Sequence, residues 1–371
     1  MRIVHCIDEM KMGGAQTHLL TIIEELQRQH PRDEHILFIL FGENEFEVQT
    51  QLLGIKVEML NLSGYFQNSH FIEAIRFVRR KLKVLNPDVL ETHLTWSRLL
   101  VNTAGVFLGI KKQIGFEHGD LYMNSKKIRL ANFISQFLFN EIVVCSNSLK
   151  TWVKKTHGIF DFKLTVLYNC VDLKKFKPTT EKDLQKYLNI KQTLPTFMFI
   201  AVGSMGNGVN KRLDISIKAV GELDKRGFDV GLVICGDGEQ RRMLESLANS
   251  IDLENRIYFL GNRKDVHQIL PRSFAFVHSA PFEPFGIVCI EAMACGLPVI
   301  LPNSGGIQYI IDNNKQGLIY NSLDFNDLAN KMEYLITNDV SYCRFLKATT
   351  LKVKEYSVDT YVKELYSLYE K

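Results

Sequence analysis

Residues 282–300 read Phe282-Glu283-Pro284-Phe285-Gly286-Ile287-Val288-Cys289-Ile290-Glu291-Ala292-Met293-Ala294-Cys295-Gly296-Leu297-Pro298-Val299-Ile300. A Pro-Phe-Gly turn follows the first glutamate, and the second sits inside an apolar helix that Gly296 and Pro298 end, since Gly relieves a C-cap and Pro forbids continuation. Val299-Ile300-Leu301 then reads as a buried strand. A loop acid, a helix start with free N–H groups and a second acid farther into the helix can hold hydroxyls and an anion together. Sugars carry hydroxyls, and nucleotide diphosphates carry the anion.

Outward from this stretch, short β-branched runs alternate with amphipathic ones, the pattern of parallel sheets covered by helices. Strands are expected at Arg2–Ile7, His35–Phe41, Lys56–Leu60, Val89–Thr92, Lys112–Phe116 and Glu141–Cys145, with helices at Gly14–Gln29, His70–Leu85, Thr95–Leu108, Lys126–Phe139 and Ser146–Thr156. The rhythm breaks near Leu167–Asp172, and Lys174–Thr193 is polar. A second set follows: strands Thr196–Val202, Gly231–Gly236, Ile257–Leu260, Phe274–His278 and Pro298–Leu301, with helices Leu213–Arg226, Glu239–Asn249 and Lys264–Leu270. The fold class is α/β, two doubly wound Rossmann-like domains facing a cleft. The first is expected over residues 1–172 and the second over 173–354. Residues 355–371 carry an amphipathic helix able to return to the first domain.

Composition limits the partners. The 371 residues hold 45 Lys and Arg against 41 Asp and Glu, a net +4 too slight to argue for nucleic acid. Seven scattered cysteines without CxxC pairs argue for a reducing compartment and against a zinc site. No apolar run approaches the roughly 20 residues needed to span a bilayer. The expectation is a cytoplasmic chain, with peripheral contact to the inner face of a membrane as an added option. For that contact, Arg76, Arg79, Arg80, Lys81 and Lys83 share an amphipathic helix with Phe71, Ile75, Phe77, Val78 and Leu82. Such a face binds anionic lipid or is simply solvated.

Five further elements carry chemistry. Met12-Gly13-Gly14-Ala15-Gln16-Thr17-His18 opens the first helix and admits a ligand's anion or is a plain turn. It lacks the G-x-G-x-x-G dinucleotide pattern. His118, in Gly115-Phe116-Glu117-His118-Gly119-Asp120, ends a strand and so points to the ligand crevice or is structural or solvated, and His93 has the same position and the same two readings. Val202-Gly203-Ser204-Met205-Gly206-Asn207-Gly208-Val209-Asn210-Lys211-Arg212 suits a phosphate-gripping loop or a flexible surface loop. Ile234-Cys235-Gly236-Asp237-Gly238-Glu239 reads as turn geometry with a helix cap. Asn303-Ser304-Gly305-Gly306-Ile307 is expected to add backbone amides beside Glu283 and Glu291.

Together these residues resemble the retaining GT-B glycosyltransferases of family 4 (glycosyltransferase group 1). The element from Glu283 to Ile300 matches the family's E-x7-E pattern, with Gly13-Gly14-Ala15, Glu117-His118-Gly119, Asn169–Asp172, Gly236-Asp237-Gly238 and Gly305-Gly306 in the right order. The resemblance implies that Glu291 binds the ribose hydroxyls and Glu283 the donor sugar's hydroxyls. It gives the amides around Phe285, Gly286, Ile287 and Val288 to sugar and phosphates. Lys211 would neutralise the diphosphate, His118 would contact the donor sugar from the other domain, and Gly14 would let the first helix approach the diphosphate. Three departures stand out. Ser204 follows Gly203 where the family has Arg, with adjacent Arg212 as a substitute; Gly305-Gly306-Ile307-Gln308-Tyr309 lacks the family's Pro and Glu; and Cys170 replaces a glycine.

No D-x-D pair occurs, so no metal and no cofactor is expected beyond the nucleotide-diphosphate sugar, a UDP-sugar by preference. Cations and helix amides would then stabilise the leaving diphosphate. The reading is a metal-independent retaining transferase acting on a glycan or lipid-linked acceptor in polysaccharide or glycoconjugate biosynthesis. A catalytically weak nucleotide-sugar-binding partner of another transferase, or a GT-B epimerase, are the alternatives.

Overall fold

A computed structural model describes residues 1–67, 70–119, 125–206 and 211–371. Residues 68–69, 120–124 and 207–210, which include Asp120 of the His118 stretch and part of the Val202–Arg212 loop, lie outside the described residues. The chain divides into two units: Met1–Asn169 with Val358–Lys371, and Cys170–Ser357. Val171 bridges Ser357 and donates its N–H to the Tyr356 carbonyl at 2.9 Å, which places the junction three residues earlier than Asp172.

The first unit's strands are β1 (Arg2–Ile7), β2 (Glu34–Ile39), β3 (Lys56–Met59), β4 (Val89–His93), β5 (Lys112–Glu117), β6 (Glu141–Val144) and β7 (Leu164–Val166). They form one parallel sheet in the order β3-β2-β1-β4-β5-β6-β7. Strands with both faces covered read as continuous apolar runs, and β1 and β2 do. Val4, Cys6, Ile36 and Phe38 face one apolar cluster, while Ile7, Leu37 and Ile39 face the other. The strand order reverses between β1 and β4, where the register sets His5 beside Glu91 and Ile7 beside His93. The helix Val358–Glu370 belongs to this unit, with Arg28 paired to Asp359 at 2.7 Å and Tyr366 donating to Asp33 at 2.9 Å.

The second unit holds β8 (Phe197–Val202), β9 (Val230–Cys235), β10 (Ile257–Gly261), β11 (Ala275–Val277), β12 (Val299–Pro302) and β13 (Gly317–Tyr320). This parallel sheet runs β10-β9-β8-β11-β12-β13, so its order reverses between β8 and β11. In such sheets ligands bind beyond the carboxyl ends of the strands at the reversal. Gly203 follows β8 there, and His278 follows β11.

Several elements depart from the sequence expectation. β7 and β13 span too few residues to show a period, as do the short helices Glu47–Leu52 and Ser63–Gln67. The helix expected over Lys264–Leu270 shrinks to Val266–Ile269 and a 3-10 turn through Pro271, which has no N–H to continue it. All seven cysteines are free thiols, six of them buried.

Candidate active site

The second unit's site starts at the ends of β8 and β11. Lys211 donates from Nζ to Glu283 Oε2 at 2.7 Å, with the two side chains 24% and 15% exposed. The two residues that the sequence assigned to separate duties thus meet as one ion pair. A Cβ on Gly203 would stand 3.1 Å from Lys211 Cγ, so the glycine gives the lysine stem its path. The Lys211 carbonyl accepts from Ser279 at 3.0 Å, and Ser216 donates to Ser279 at 3.1 Å, both serines buried. His278 Nε2 lies 3.5 Å from Glu283 Oε2, close enough to feel its charge but outside good hydrogen-bond geometry. Burial alone would push the Glu283 carboxyl up, yet Lys211 and His278 outweigh it and hold it well below the usual range. Burial lowers His278 and keeps it neutral near pH 7.

Glu283 is fixed by its backbone as well. Gly305 has φ +67°, and a Cβ there would stand 2.4 Å from the Glu283 carbonyl oxygen, so only glycine fits. The Gly306 and Ile307 amides donate to that carbonyl at 2.8 and 3.3 Å. The amides of this segment thus lie beside Glu283, as the sequence suggested, and those of Gly306 and Ile307 position its backbone. Gly286, at φ +94°, caps the helix Ile287–Ala294, and a Cβ there would meet Ile307 at 2.7 Å. Phe285 is buried against Tyr356, ring centroids 5.6 Å apart. Ile287 and Val288 stand half-buried in the first turn, where helix geometry leaves N–H groups unpaired and no acid opposes an anion. Glu291 points from the next turn and is half-buried; burial pushes its carboxyl up to about 7, opposed by Lys175.

One cation sorts differently than the sequence suggested. Arg212 grips Asp214 through Nε at 2.8 Å and a second nitrogen at 3.0 Å, so it is not a spare substitute for the family's Arg. Ser204 is exposed, its Oγ accepting from the Gly206 N–H at 3.2 Å.

In the first unit, Gly14 stands exposed at the first position of the helix Gly14–Gln29, whose first turn holds no acid. His118 follows β5 and sits 3.1 Å from His93, Nε2 to Nδ1, with the rings stacked. Its loop is anchored by Glu117, which pairs with Arg98 at 2.7 Å, both nearly fully buried, and accepts from the Gly119 N–H at 2.9 Å. Burial, then His93, hold His118 well below the usual histidine range. His5, Glu91 and His93 lie within 4.8 Å of one another, the reach of a metal site. Yet His5 Nδ1 and Glu91 Oε2 stand 2.5 Å apart, a hydrogen-bond distance shorter than the roughly 3 Å between two ligands of one ion. Neither this cluster nor His278, Ser216 and Ser279 was read from the sequence.

The basic helix offered for membrane contact, Phe71–Leu85, commits part of its charge internally. Arg79 donates to the Ala104 carbonyl at 3.0 Å and to Val106, and Lys81 reaches Glu58 at 3.1 Å. Arg76, Arg80 and Lys83 remain exposed. Among the described residues, no helix is long and apolar enough to cross a membrane.

Residues 187–352 match the family described as glycosyl transferases group 1, and residues 12–175 match glycosyltransferase family 4. An uncharacterized glycosyltransferase of Methanocaldococcus jannaschii is 25% identical over 68% of this chain and 65% of its own length, so the chain spans just under two thirds of that relative. A UDP-Gal:alpha-D-GlcNAc-diphosphoundecaprenol alpha-1,3-galactosyltransferase of Escherichia coli is 25% identical over 87% of each chain. The Anabaena protein HepE, crystallised with UDP and glucose, shares the fold at a TM-score of 0.83 and 18% identity over the whole of both chains. With the E-x7-E helix and its lysine partner in place, this chain belongs to the group 1, family 4-like glycosyltransferases of GT-B fold.

Proposed function

We propose that this glycosyltransferase moves a sugar from a UDP-sugar to a glycan or lipid-linked acceptor with retention of configuration and without a divalent metal. The observation that carries the reading is the Lys211–Glu283 pair at 2.7 Å, at the β8–β11 reversal beside the helix that bears Glu291. The galactosyltransferase relative acts from a UDP-sugar on a lipid diphosphate, and the HepE structure contains UDP and glucose, which supports the donor and acceptor classes.

In this scheme the diphosphate takes the Lys211 ammonium from Glu283, and the freed carboxylate turns to the sugar hydroxyls. Helix amides at Ile287 and Val288 take the developing negative charge, a preorganised electrostatic stabilisation. Glu291 accepts from the ribose hydroxyls, and the family resemblance gives His118 a contact to the donor sugar. The departing phosphate, held on the face the acceptor attacks, receives the acceptor's proton, which yields retention. The absence of a D-x-D pair supports metal independence. We place the reaction on the cytoplasmic side, at the inner face of a membrane when the acceptor is lipid-linked.

The test is a thermal-shift screen of nucleotide sugars, since a ligand that binds only the folded state raises its melting temperature. Transfer with EDTA present, followed by NMR of the product anomer, then checks mechanism. A UDP-sugar shift with an anomer matching the donor is expected. Stabilisation by no nucleotide sugar, or an inverted anomer, sinks the reading.

A further inference from the structure

Behind His118 runs a chain of buried polar groups that the donor site in the second unit does not use. Glu91 Oε2 takes a hydrogen bond from His5 Nδ1 at 2.5 Å, and Glu91 Oε1 takes one from the Tyr369 hydroxyl at 2.5 Å. His5 Nε2 meets His35 Nδ1 at 3.0 Å. On the other side His93 Nε2 stands 3.7 Å from Glu91 Oε2, and His93 Nδ1 meets His118 Nε2 at 3.1 Å. Phe116 stacks on His93 with centroids 4.4 Å apart, which fixes the ring's plane. Every one of Glu91, His5, His35, His93 and Tyr369 is buried.

The protons in this chain can be placed by charge. Burial pushes the Glu91 carboxyl up, but His5 beside it, through its charge and its hydrogen bond, pulls it down and keeps it ionised. Burial keeps His93 neutral, so one ring nitrogen carries a proton and the other a lone pair. At 3.7 Å the carboxylate is too far for a hydrogen bond, yet its field favours the proton on Nε2. Nδ1 of His93 is then bare and must accept from His118 Nε2–H. A neutral His118 that donates from Nε2 has a bare Nδ1.

We propose that Glu91 acts through His93 as a positioning residue for His118, holding it in the tautomer whose Nδ1 accepts a hydrogen bond from a substrate hydroxyl. Such a nitrogen selects a hydroxyl and repels an unprotonated phosphate oxygen. Tyr369 makes the C-terminal helix part of the arrangement, because it holds the second oxygen of Glu91. The inference rests on the reading that His118 meets the donor sugar.

The experiment uses the full chain with 15N-labelled histidine and long-range proton–nitrogen correlation spectra. The expected result is His118 protonated at Nε2 and bare at Nδ1. In Glu91→Gln the His118 ring gains an Nδ1–H population and kcat/KM for the donor falls about tenfold, the effect of losing a group that orients a functional histidine. UDP binding stays unchanged, and in a His118→Ala background Glu91→Gln costs no further turnover. A wild-type His118 carrying its proton on Nδ1 overturns the proposal, as do unchanged His118 ring shifts in Glu91→Gln. If that variant does not fold, the wild-type spectrum decides alone. Failure of the transferase reading would show as wild-type protein that neither binds UDP nor turns over any nucleotide sugar, whatever the tautomer.

Discussion

Each unit gathers ionisable groups where its strand order reverses, yet the two treat them in opposite ways. In the first, Glu91 and its partners are sealed from water, and Arg98 with Glu117 forms a second sealed pair at 2.7 Å. In the second, Lys211 and Glu283 keep partial exposure, and among the described residues no hydrogen bond or ion pair fixes the Glu291 carboxylate. A sealed ion pair resists change, because removing one partner strands a buried charge. A pair at the surface of a crevice can be exchanged for a ligand. In the proposed scheme the first arrangement orients, and the second binds and reacts.

The sharpest break of this contrast is Arg98→Met. It strands Glu117 in the interior and should lower stability by about 3–5 kcal/mol, read as a shifted urea midpoint. A loss under 1 kcal/mol would mean that the first unit's pairs are as exchangeable as the second's. Lys211→Ala is expected to do the reverse. Turnover at saturating donor should fall about a hundredfold, as when a transition-state donor is removed. Its urea midpoint should move much less than that of Arg98→Met, because both partners already touch water. Equal kcat in Lys211→Ala and wild type would remove the lysine from the reaction.

The contrast was only partly legible in the sequence. The helix Ile287–Ala294 was, because Gly286, Gly296 and Pro298 punctuate it and its apolar run is continuous. Period and punctuation are local properties, and they also located β1, β8 and the helix Gly14–Gln29. Pairings across the fold were not legible. Lys211 and Glu283 are 72 residues apart, His5 and Glu91 are 86, and Tyr369 and Glu91 are 278; no spacing rule joins them. Arg212 is the instructive miss. Its partner Asp214 is two positions away, and an Arg-x-Asp pair at a helix start was a visible reason to count that cation as occupied.

Glu291 sharpens the contrast through pH. Burial raises its folded pKa to about 7, from 4.5 as the ordinary value. For an acid raised this way, the stabilising contribution is fully present below about pH 4.5 and is lost as pH rises through 7. In the proposed role, ribose hydroxyls favour the ionised form, so nucleotide binding would expel a proton and UDP affinity should climb between pH 6 and 8. Titration calorimetry in buffers of different ionisation heat would count that proton. Glu291→Gln should weaken UDP about tenfold, the cost of a lost charged hydrogen bond, and flatten the climb. A slope that survives the substitution assigns the proton elsewhere, His278 being the next candidate.

The smallest effect expected is a gain. Ser204 is exposed after β8, and among the described residues its hydroxyl makes one bond, to the Gly206 N–H at 3.2 Å. Losing that bond costs about 1 kcal/mol at most. An arginine at this position has water around it and a fork that matches phosphate oxygens. Arg212 cannot supply that fork while it grips Asp214. Ser204→Arg should therefore tighten UDP severalfold, and the gain should shrink as salt is raised through the range where charges are screened. Ser204→Ala separates the added charge from the lost hydroxyl and should bind UDP as wild type does. Unaltered affinity in Ser204→Arg would place the diphosphate beyond reach of residue 204. Lys211 and the amides of Ile287 and Val288 would then hold it without an arginine, and the exchangeable character of the second unit would rest on the lysine.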